Sequence, residues 1–511
     1  MSPSAFHRTN AILHTVNVLL LFGFLRAATG STWKSFFAAA FFGLHPLRAE
    51  SVAWITERKD VLCGFFLLLL SLIAYLQYAK TPGKSWLAAS VLLFAAANAS
   101  KPAVVLLPAA LLALDFWPLE RSGATGTRKL LLEKAPFAVV SIVFSLVTVM
   151  GQRGAFVAQK SGLGALAGGI ATASSSYWIY LHKTFWPVDL VMEAGREVDS
   201  RALALGAASL VALCVLSWAL WRFKERSGEF FAGWCWYLPM LLPVSGVASI
   251  GLMSVADRFT YFPHIFLLPA LVFGLWSLYG GLGWRAAPAV AFAAALLAVL
   301  TALSYRQVSR WKDSITLFGY MEKVSGRENV LALHSLGVAY ENAGLPEEAY
   351  RRLAAVNAMA PDYPWNSFSL GLAALKTGRH AEAARAFEYA ALRNPDYPQA
   401  QISLEEALRK SGRLAEAAQR AVWNIRRWPG EFGAMAAIAG YGGEFGASMT
   451  AAEGFFRQGK YAPAIQHFRD ATALDPSSAR AWEGLARSCE AGGQSAQALR
   501  AREMLQRLSG G

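Results

Sequence analysis

The stretch His45-Pro46-Leu47-Arg48-Ala49-Glu50-Ser51-Val52-Ala53-Trp54-Ile55-Thr56-Glu57-Arg58-Lys59-Asp60 decides how the first part of this chain is read. It lies between two apolar segments, Phe36 to Leu44 and Val61 to Tyr78, yet seven of its sixteen residues are His, Arg, Lys, Asp or Glu. Inside hydrocarbon each full charge costs about 2.5–3.5 kcal/mol on insertion scales. The segment therefore belongs at a membrane surface or along a polar cavity between helices. A plain polar loop is the alternative. Against it stand the alternating signs of Glu57, Arg58, Lys59 and Asp60 and the adjoining Trp54, a residue type enriched at membrane interfaces.

Working outward, apolar segments recur at about 34–46, 61–79, 86–99, 103–118, 135–151, 202–222, 230–250, 261–280 and 287–305. A first one precedes them, running to Arg26. It is not a signal peptide, because no small-residue cleavage site follows the apolar run. Ten candidate spans result. In the first, Asn10, His14 and Asn17 are spaced i, i+4, i+7 and share a face that should point into the bundle. Segments 86–99 and 103–118 are short for a span of about 20 residues and are divided by Ser100-Lys101-Pro102, as a broken pair of half-helices would be. Segment 166–186, rich in Ala, Gly and Ser, reads as an interfacial or re-entrant helix. Trp33, Trp86, Trp117, Trp186, Trp221, Trp234 and Trp284 stand near segment ends, like an aromatic belt.

Composition agrees with a membrane half. The chain is 55% hydrophobic, with a mean hydropathy of +0.33. Residues 1–312 carry 26 Lys+Arg against 13 Asp+Glu, and residues 313–511 carry 22 against 21. The basic excess thus decorates the apolar part, and no basic run interleaved with aromatics suggests a nucleic-acid partner. Basic residues divide nearly evenly between the two sets of loops, so charge bias does not orient the chain. Cys63, Cys214, Cys235 and Cys489 form no CxxC or Cys/His group, which removes the common zinc spacings and any disulfide framework.

After Trp311 the pattern becomes a repeat. Gly344, Gly378 and Gly412 are 34 residues apart, as are Ala349, Ala383, Ala417 and Pro361, Pro395, Pro429. Gly459, Ala464 and Pro476 follow after 47, an excess of 13 that falls in the glycine-rich 430–446; Gly493 and Ala498 return to 34. With Leu336-Gly337 and Tyr340 in the first helix, this is the tetratricopeptide pattern. Glycine supplies the left-handed stop between paired helices, alanine their close approach, and proline the end of the second helix. The expected fold is all-α: a polytopic membrane domain over 1–312, then about five repeats over 313–511. Five units exceed the three that a stable solenoid needs, and such a solenoid offers a surface for an extended polypeptide.

The phrases His45-Pro46, Glu50-Ser51-Val52-Ala53-Trp54, Glu57-Arg58-Lys59-Asp60, Ser100-Lys101-Pro102, Asp115-Phe116-Trp117-Pro118-Leu119 and Ala256-Asp257-Arg258-Phe259-Thr260-Tyr261 resemble, in this order, a bacterial group of polytopic proteins. That group is similar to the transmembrane-and-TPR-containing protein O-mannosyltransferases of the GT-C superfamily. The resemblance implies about eleven membrane helices and a catalytic face outside the cytoplasm. The repeats would then lie in the periplasm of a bacterium whose inner membrane holds the chain. It implies a polyprenyl-phosphate-linked sugar donor, mannose in the family, and a protein acceptor presented by the repeats. Such proteins normally begin with a further helix and a large loop bearing the acidic catalytic base. This chain begins at what resembles their second helix, so either its start is placed late or the form lacks that base.

Transfer from such a donor needs a carboxylate to take the acceptor's proton and cations to stabilise the departing phosphate. The carboxylates expected on the catalytic face are Glu50, Glu57, Asp60 and Asp257. The cations are Arg58, Lys59, Lys101 and Arg258. Snorkelling is the bland reading of each cation, and orienting an arginine the bland reading of each carboxylate. His45 is read as a capping or core-lining residue. Gln152, Gly154, Tyr177 and Lys183 are further candidates for contact with acceptor or sugar. No His, Asp and Glu grouping has metal-site spacing, so a divalent metal has no support. The contrasting expectation is a non-catalytic membrane scaffold whose repeats recruit protein partners.

Overall fold

The computed structural model describes residues 3–151, 163–194, 199–246, 253–326, 329–363 and 365–509. It is helical apart from one short antiparallel pairing of Glu193–Ala194 with Met253–Val255. Two compact units divide at Asn329 and Val330. The first therefore extends beyond the apolar segments to include the helix Ser314–Ser325.

The described residues of the first unit form fourteen α-helices: α1 Pro3–Thr29, α2 Thr32–Gly43, α3 Ala49–Ala53, α4 Gly64–Lys80, α5 Lys84–Ser100, α6 Leu107–Phe116, α7 Arg121–Ala124, α8 Thr127–Gly151, α9 Leu163–Phe185, α10 Ser200–Arg222, α11 Gly228–Leu241, α12 His264–Gly281, α13 Ala286–Ser309 and α14 Ser314–Ser325. Among the described residues five are long and apolar enough to cross a membrane: α1, α8, α10, α12 and α13. Several of the other apolar segments among the ten expected spans fold as shorter helices. α2 has 12 residues, α6 has 10 and α11 has 14. The break between α5 and α6 falls where the sequence places it. Lys101, forced extended by the following Pro102, adopts φ −152° and ψ 119°, and a short 3-10 turn follows. The expected interfacial segment 166–186 is α9, a 23-residue helix packed on α10. Its small residues explain the packing: a Cβ on Gly206 would lie 2.3 Å from that of Ala171.

The core of this unit is apolar and aromatic, with Phe24, Phe42, Phe65, Phe94, Trp236 and Phe266 fully or almost fully buried. Trp33, Trp86, Trp186, Trp221 and Trp284 are exposed. Trp234 departs from the belt: it is buried, and its indole N–H donates to Ser217 Oγ at 2.8 Å.

The polar stripe of α1 faces the ends of neighbouring helices and the chain between them. Asn10 donates to the carbonyls of Val52 and Trp54, and Asn17 to that of Leu62. His14 sits between Tyr261 and the carbonyl of Gly43. These side chains supply partners for carbonyls at helix ends and in the π-helical turn, which lack one within their own helix.

The second unit stacks helix pairs. They are α15 Val330–Asn342 with α16 Pro346–Met359, α17 Asn366–Lys376 with α18 His380–Arg393, and α19 Pro398–Lys410 with α20 Leu414–Arg427. A short α21, Phe432–Ala439, follows. Then come α22 Gly443–Arg457 with α23 Tyr461–Leu474, and α24 Ala479–Ala491 with α25 Ser495–Ser509. Gly344, Gly378, Gly412, Gly459 and Gly493 all take left-handed φ between 71° and 81° at the turn within a pair. Gly371 lets the paired helices close up, since a Cβ there would be 2.6 Å from the Phe387 ring. The 13-residue excess forms α21, which packs on α19, α20 and α22.

Candidate functional site

The charged stretch folds as a 3-10 turn, Pro46–Arg48, then α3, then a π-helical turn over Arg58–Cys63. It meets the 3-10 turn Asp257–Thr260 and the end of α9. Pairs far apart in sequence are brought together here. The Glu50 carboxylate accepts from the Arg258 backbone N–H at 3.1 Å and pairs with its guanidinium. Arg258 Nε also stands 3.3 Å from Glu57 Oε1, and Lys101 Nζ is 3.5 Å from Glu57 Oε2. Arg258 lies over the Trp54 ring, 4.9 Å from its centre. Lys183 Nζ reaches Asp257 Oδ1 at 3.0 Å and the carbonyl of Val191 at 3.1 Å. Burial pushes the Glu50 carboxyl up, against the opposing pull of Arg258.

Most of the expected residues therefore converge, but as partners of one another. Arg58 does not. Its Nε donates to Asn10 Oδ1 at 2.9 Å and its Nη2 to the Phe6 carbonyl at 2.8 Å, so it ties the start of α1 to the π-helical turn. In this arrangement the guanidinium expected to meet a phosphate serves as a tether. Tyr177 likewise joins α9 to α11, its hydroxyl donating to the Leu238 carbonyl at 2.6 Å. The side chains of Lys59 and Asp60, and residues Gln152 and Gly154 altogether, lie outside the described residues. Among the described residues no group of three His, Cys, Asp or Glu could hold a metal ion.

Arg48 is the residue that pattern reading left unassigned. It is 2% exposed, and its guanidinium lies over Phe42 and Tyr261 at 4.8 and 4.9 Å from the ring centres. Nη2 donates to Thr260 Oγ1 at 2.7 Å and to His264 Nδ1 at 2.9 Å, while Nε and Nη1 have no hydrogen-bond partner. Because arginine only donates, His264 Nδ1 must accept, and its proton sits on Nε2, facing Thr184 Oγ1 at 3.1 Å. His45 is fixed in the same way. Its Nδ1 accepts from the Leu47 N–H at 3.3 Å, leaving Nε2–H to donate to the Thr184 carbonyl at 2.9 Å. Burial and the charge of Arg48 lower the His45 pKa to about 3, so the ring stays neutral. The only sequence signal for this network was that Arg48 falls in the charged stretch and Thr260 in a family-like phrase. Nothing pointed to His264.

A second network closes around the far end of α4, which is about 25 Å long at 1.5 Å per residue. Tyr75 donates to both oxygens of Asp115, at 2.8 and 3.0 Å. Arg121 bridges Asp115 and Glu133, each at 2.9 Å, and Lys134 pairs with Asp115. Every member has an opposite partner, so this cluster locks α4, α6, α7 and α8 together.

On its other side α9 lines a cavity of about 460 Å³. Tyr180, Lys183 and Thr184 face the charged cluster, whereas Trp178, Leu181, His182 and Phe185 line the cavity with residues of α10, α11 and α12. The lining is almost wholly apolar.

The tetratricopeptide repeat family matches residues 368–431 and 449–509. The protein O-mannosyl-transferase TMTC2 of Mus musculus is 35% identical over 85 residues, 17% of this chain and 10% of that protein. TMTC2 of Drosophila melanogaster is 32% identical over 100 residues, 19% of this chain and 11% of its own length. TMTC1 of Homo sapiens is 35% identical over 82 residues, 16% of this chain and 9% of that protein. The alignments to these relatives fall in the repeats and span about a tenth of each relative. Among solved structures, a crystal form of MamA AMB-1 is 19% identical, with a TM-score of 0.21, over 36% of this chain and 92% of that one. The geometry of the paired helices and the matched residues agree on one conclusion: the C-terminal part of this chain is an array of tetratricopeptide repeats.

Proposed function

We propose that this chain is a membrane glycosyltransferase of the GT-C kind, moving a sugar from a polyprenyl-phosphate donor onto a polypeptide held by the repeats. One observation carries the reading: α9 separates an apolar cavity from a buried cluster rich in Arg and Lys. A prenyl tail suits the first and a phosphate the second. In this reading the membrane is a bacterial inner membrane, the spans number more than the five long helices, and the cluster and repeats face the periplasm.

The chemistry follows from the pairings. The acceptor hydroxyl attacks the anomeric carbon as the bond from that carbon to the phosphate oxygen breaks. The leaving polyprenyl phosphate keeps the electron pair, and a carboxylate takes the hydroxyl proton. Glu57 is the carboxylate we assign, because its Oε2 accepts no hydrogen bond and faces Lys101 at 3.5 Å. A donor phosphate that draws Lys101 and Arg258 to itself would free Glu57 to act. Arg258 supplies a planar fork for phosphate oxygens and Lys101 a mobile charge. Glu57→Gln in the full-length chain tests this with a labelled polyprenyl-phospho-sugar. Transfer should fall by about 10²–10⁴, the usual worth of a general base, while donor binding changes little. Unchanged transfer would remove Glu57 from the reaction.

The second reading, a membrane-anchored scaffold, is favoured by the observation that Glu50, Glu57 and Asp257 are each held by a cation. It expects no donor binding at all.

A further inference from the structure

Arg48 is a buried cation without an anion of its own. Among the described residues no carboxylate pairs with it. A hydroxyl, an imidazole and two rings surround its guanidinium, and Nε and Nη1 find no acceptor. The imidazole of His264 accepts from Arg48 and so carries no charge. The surroundings of Arg48 place it beside the charged pair. Arg48 meets Thr260, while Glu50, two residues further on, meets Arg258, two residues back. The two bridges are successive rungs between the same two segments. Thr260 in turn donates to the Asp257 carbonyl at 2.7 Å, which fixes the turn that carries Arg258.

We propose that Arg48 is a positioning residue of the phosphate site: it is the second counter-charge of Glu50, and it thereby releases Arg258 to a lipid-linked phosphate. This role rests on the reading above, in which a polyprenyl-linked phosphate draws Arg258 to itself. Glu50 is 2% exposed. Without the guanidinium of Arg258 it keeps one hydrogen bond, from the Arg258 backbone N–H at 3.1 Å, and a buried charge stripped of its partner is strongly unfavourable. A cation one rung away offsets that loss, because in a low-dielectric interior charge acts beyond contact. Arg48 is able to do this because no carboxylate already cancels its charge, whereas Lys183 is held by Asp257. Glu57 differs from Glu50. Its cations are Arg258 and Lys101, both of which the phosphate takes, so Glu57 is the carboxylate left for the acceptor proton. Arg48 thus separates the roles of two carboxylates that share one arginine.

The test is equilibrium binding of a polyprenyl phosphate to the full-length chain in nanodiscs, with the matching polyprenol as reference. Arg48→Met, unbranched and apolar, should weaken phosphate binding about tenfold and leave polyprenol binding unchanged. Arg48→Lys, which keeps the charge, should retain most of the affinity. Glu50→Gln separates this role from a merely structural one, because it removes the charge that Arg48 holds. In the Arg48→Met background it should restore phosphate affinity about tenfold, against about threefold at most in the parent. Thermal unfolding reports whether each variant is folded, and Arg48→Gln takes the place of Arg48→Met if the latter is not. Phosphate affinity indifferent to the loss of Arg48, or the same Glu50→Gln factor in both backgrounds, would overturn this role and leave the donor site standing. Equal binding of phosphate and polyprenol by the parent chain would overturn the donor site, and the role of Arg48 with it.

Discussion

Arg258 illustrates how a charged residue in an apolar unit is retained. Its guanidinium meets Glu50 and Glu57 and lies over Trp54, so its burial is compensated on three sides. Removing one member of a buried pair leaves the other uncompensated and costs about 3–5 kcal/mol. Arg258→Ala should therefore lower the unfolding temperature of the detergent-solubilised protein markedly. A small change, comparable to an exposed pair such as Arg393 with Asp362, would show that Glu50 and Glu57 are solvated instead. The repeats hold a contrasting case. Glu405 stands where Gly337 and Gly371 let paired helices approach, and it is 3% exposed. Burial raises its carboxyl pKa above 4.5, with Tyr441 and Arg409 pulling the other way. A carboxyl raised in the fold contributes stability that is complete below 4.5 and is lost as pH rises through the folded value. Glu405→Gln, which cannot ionise, should gain on the parent chain in unfolding temperature as pH goes from 4.5 to 8. A difference independent of pH would mean the carboxyl is not burdened by burial.

At the scale of elements, legibility followed sequence distance. The repeats were readable because each is built from signals within 34 residues, and the glycine spacing gave turns that the structure places at left-handed φ. The halving of segment 86–118 was readable from a single proline. Helix lengths were less legible, because hydropathy marks apolar segments while helix length is cut by local breaks such as Gly43 to Pro46 and Lys101 to Leu106. The site was half legible. Residue types and their convergence could be read from the family-like phrases, but not the pairings, since Glu50 and Arg258 are 208 residues apart. Arg58 shows the consequence, because a carbonyl of Phe6 and the amide of Asn10 claim it. Packing makes its own prediction here. Gly371→Ala forces a methyl to within 2.6 Å of Phe387, an overpacking worth about 1–3 kcal/mol. Gly378→Ala instead meets no neighbour within 4 Å but strains a φ of 77°. Urea unfolding should show both destabilised, and volume relief by Phe387→Leu should rescue the first alone. Rescue of neither would mean the helix pair does not close at Gly371.

The whole molecule joins two units with different physics. The repeats are held by short-range packing between neighbouring helix pairs, as their period requires. The first unit is held by an apolar core with a closed ionic network at one end of α4 and the charged stretch at the other. The charged stretch adjoins an apolar cavity across α9, and the proposed donor site rests on that arrangement. The most direct measurement is equilibrium binding of a polyprenyl phosphate, against the matching polyprenol, to the full-length chain and to Leu271→Trp, which narrows the cavity. The phosphate should add about 10- to 100-fold in affinity, the worth of charge-assisted hydrogen bonds at about 1.5–3 kcal/mol, and Leu271→Trp should weaken both ligands. Equal affinity for phosphate and alcohol, or binding indifferent to Leu271→Trp, would contradict a lipid-phosphate site beside α9.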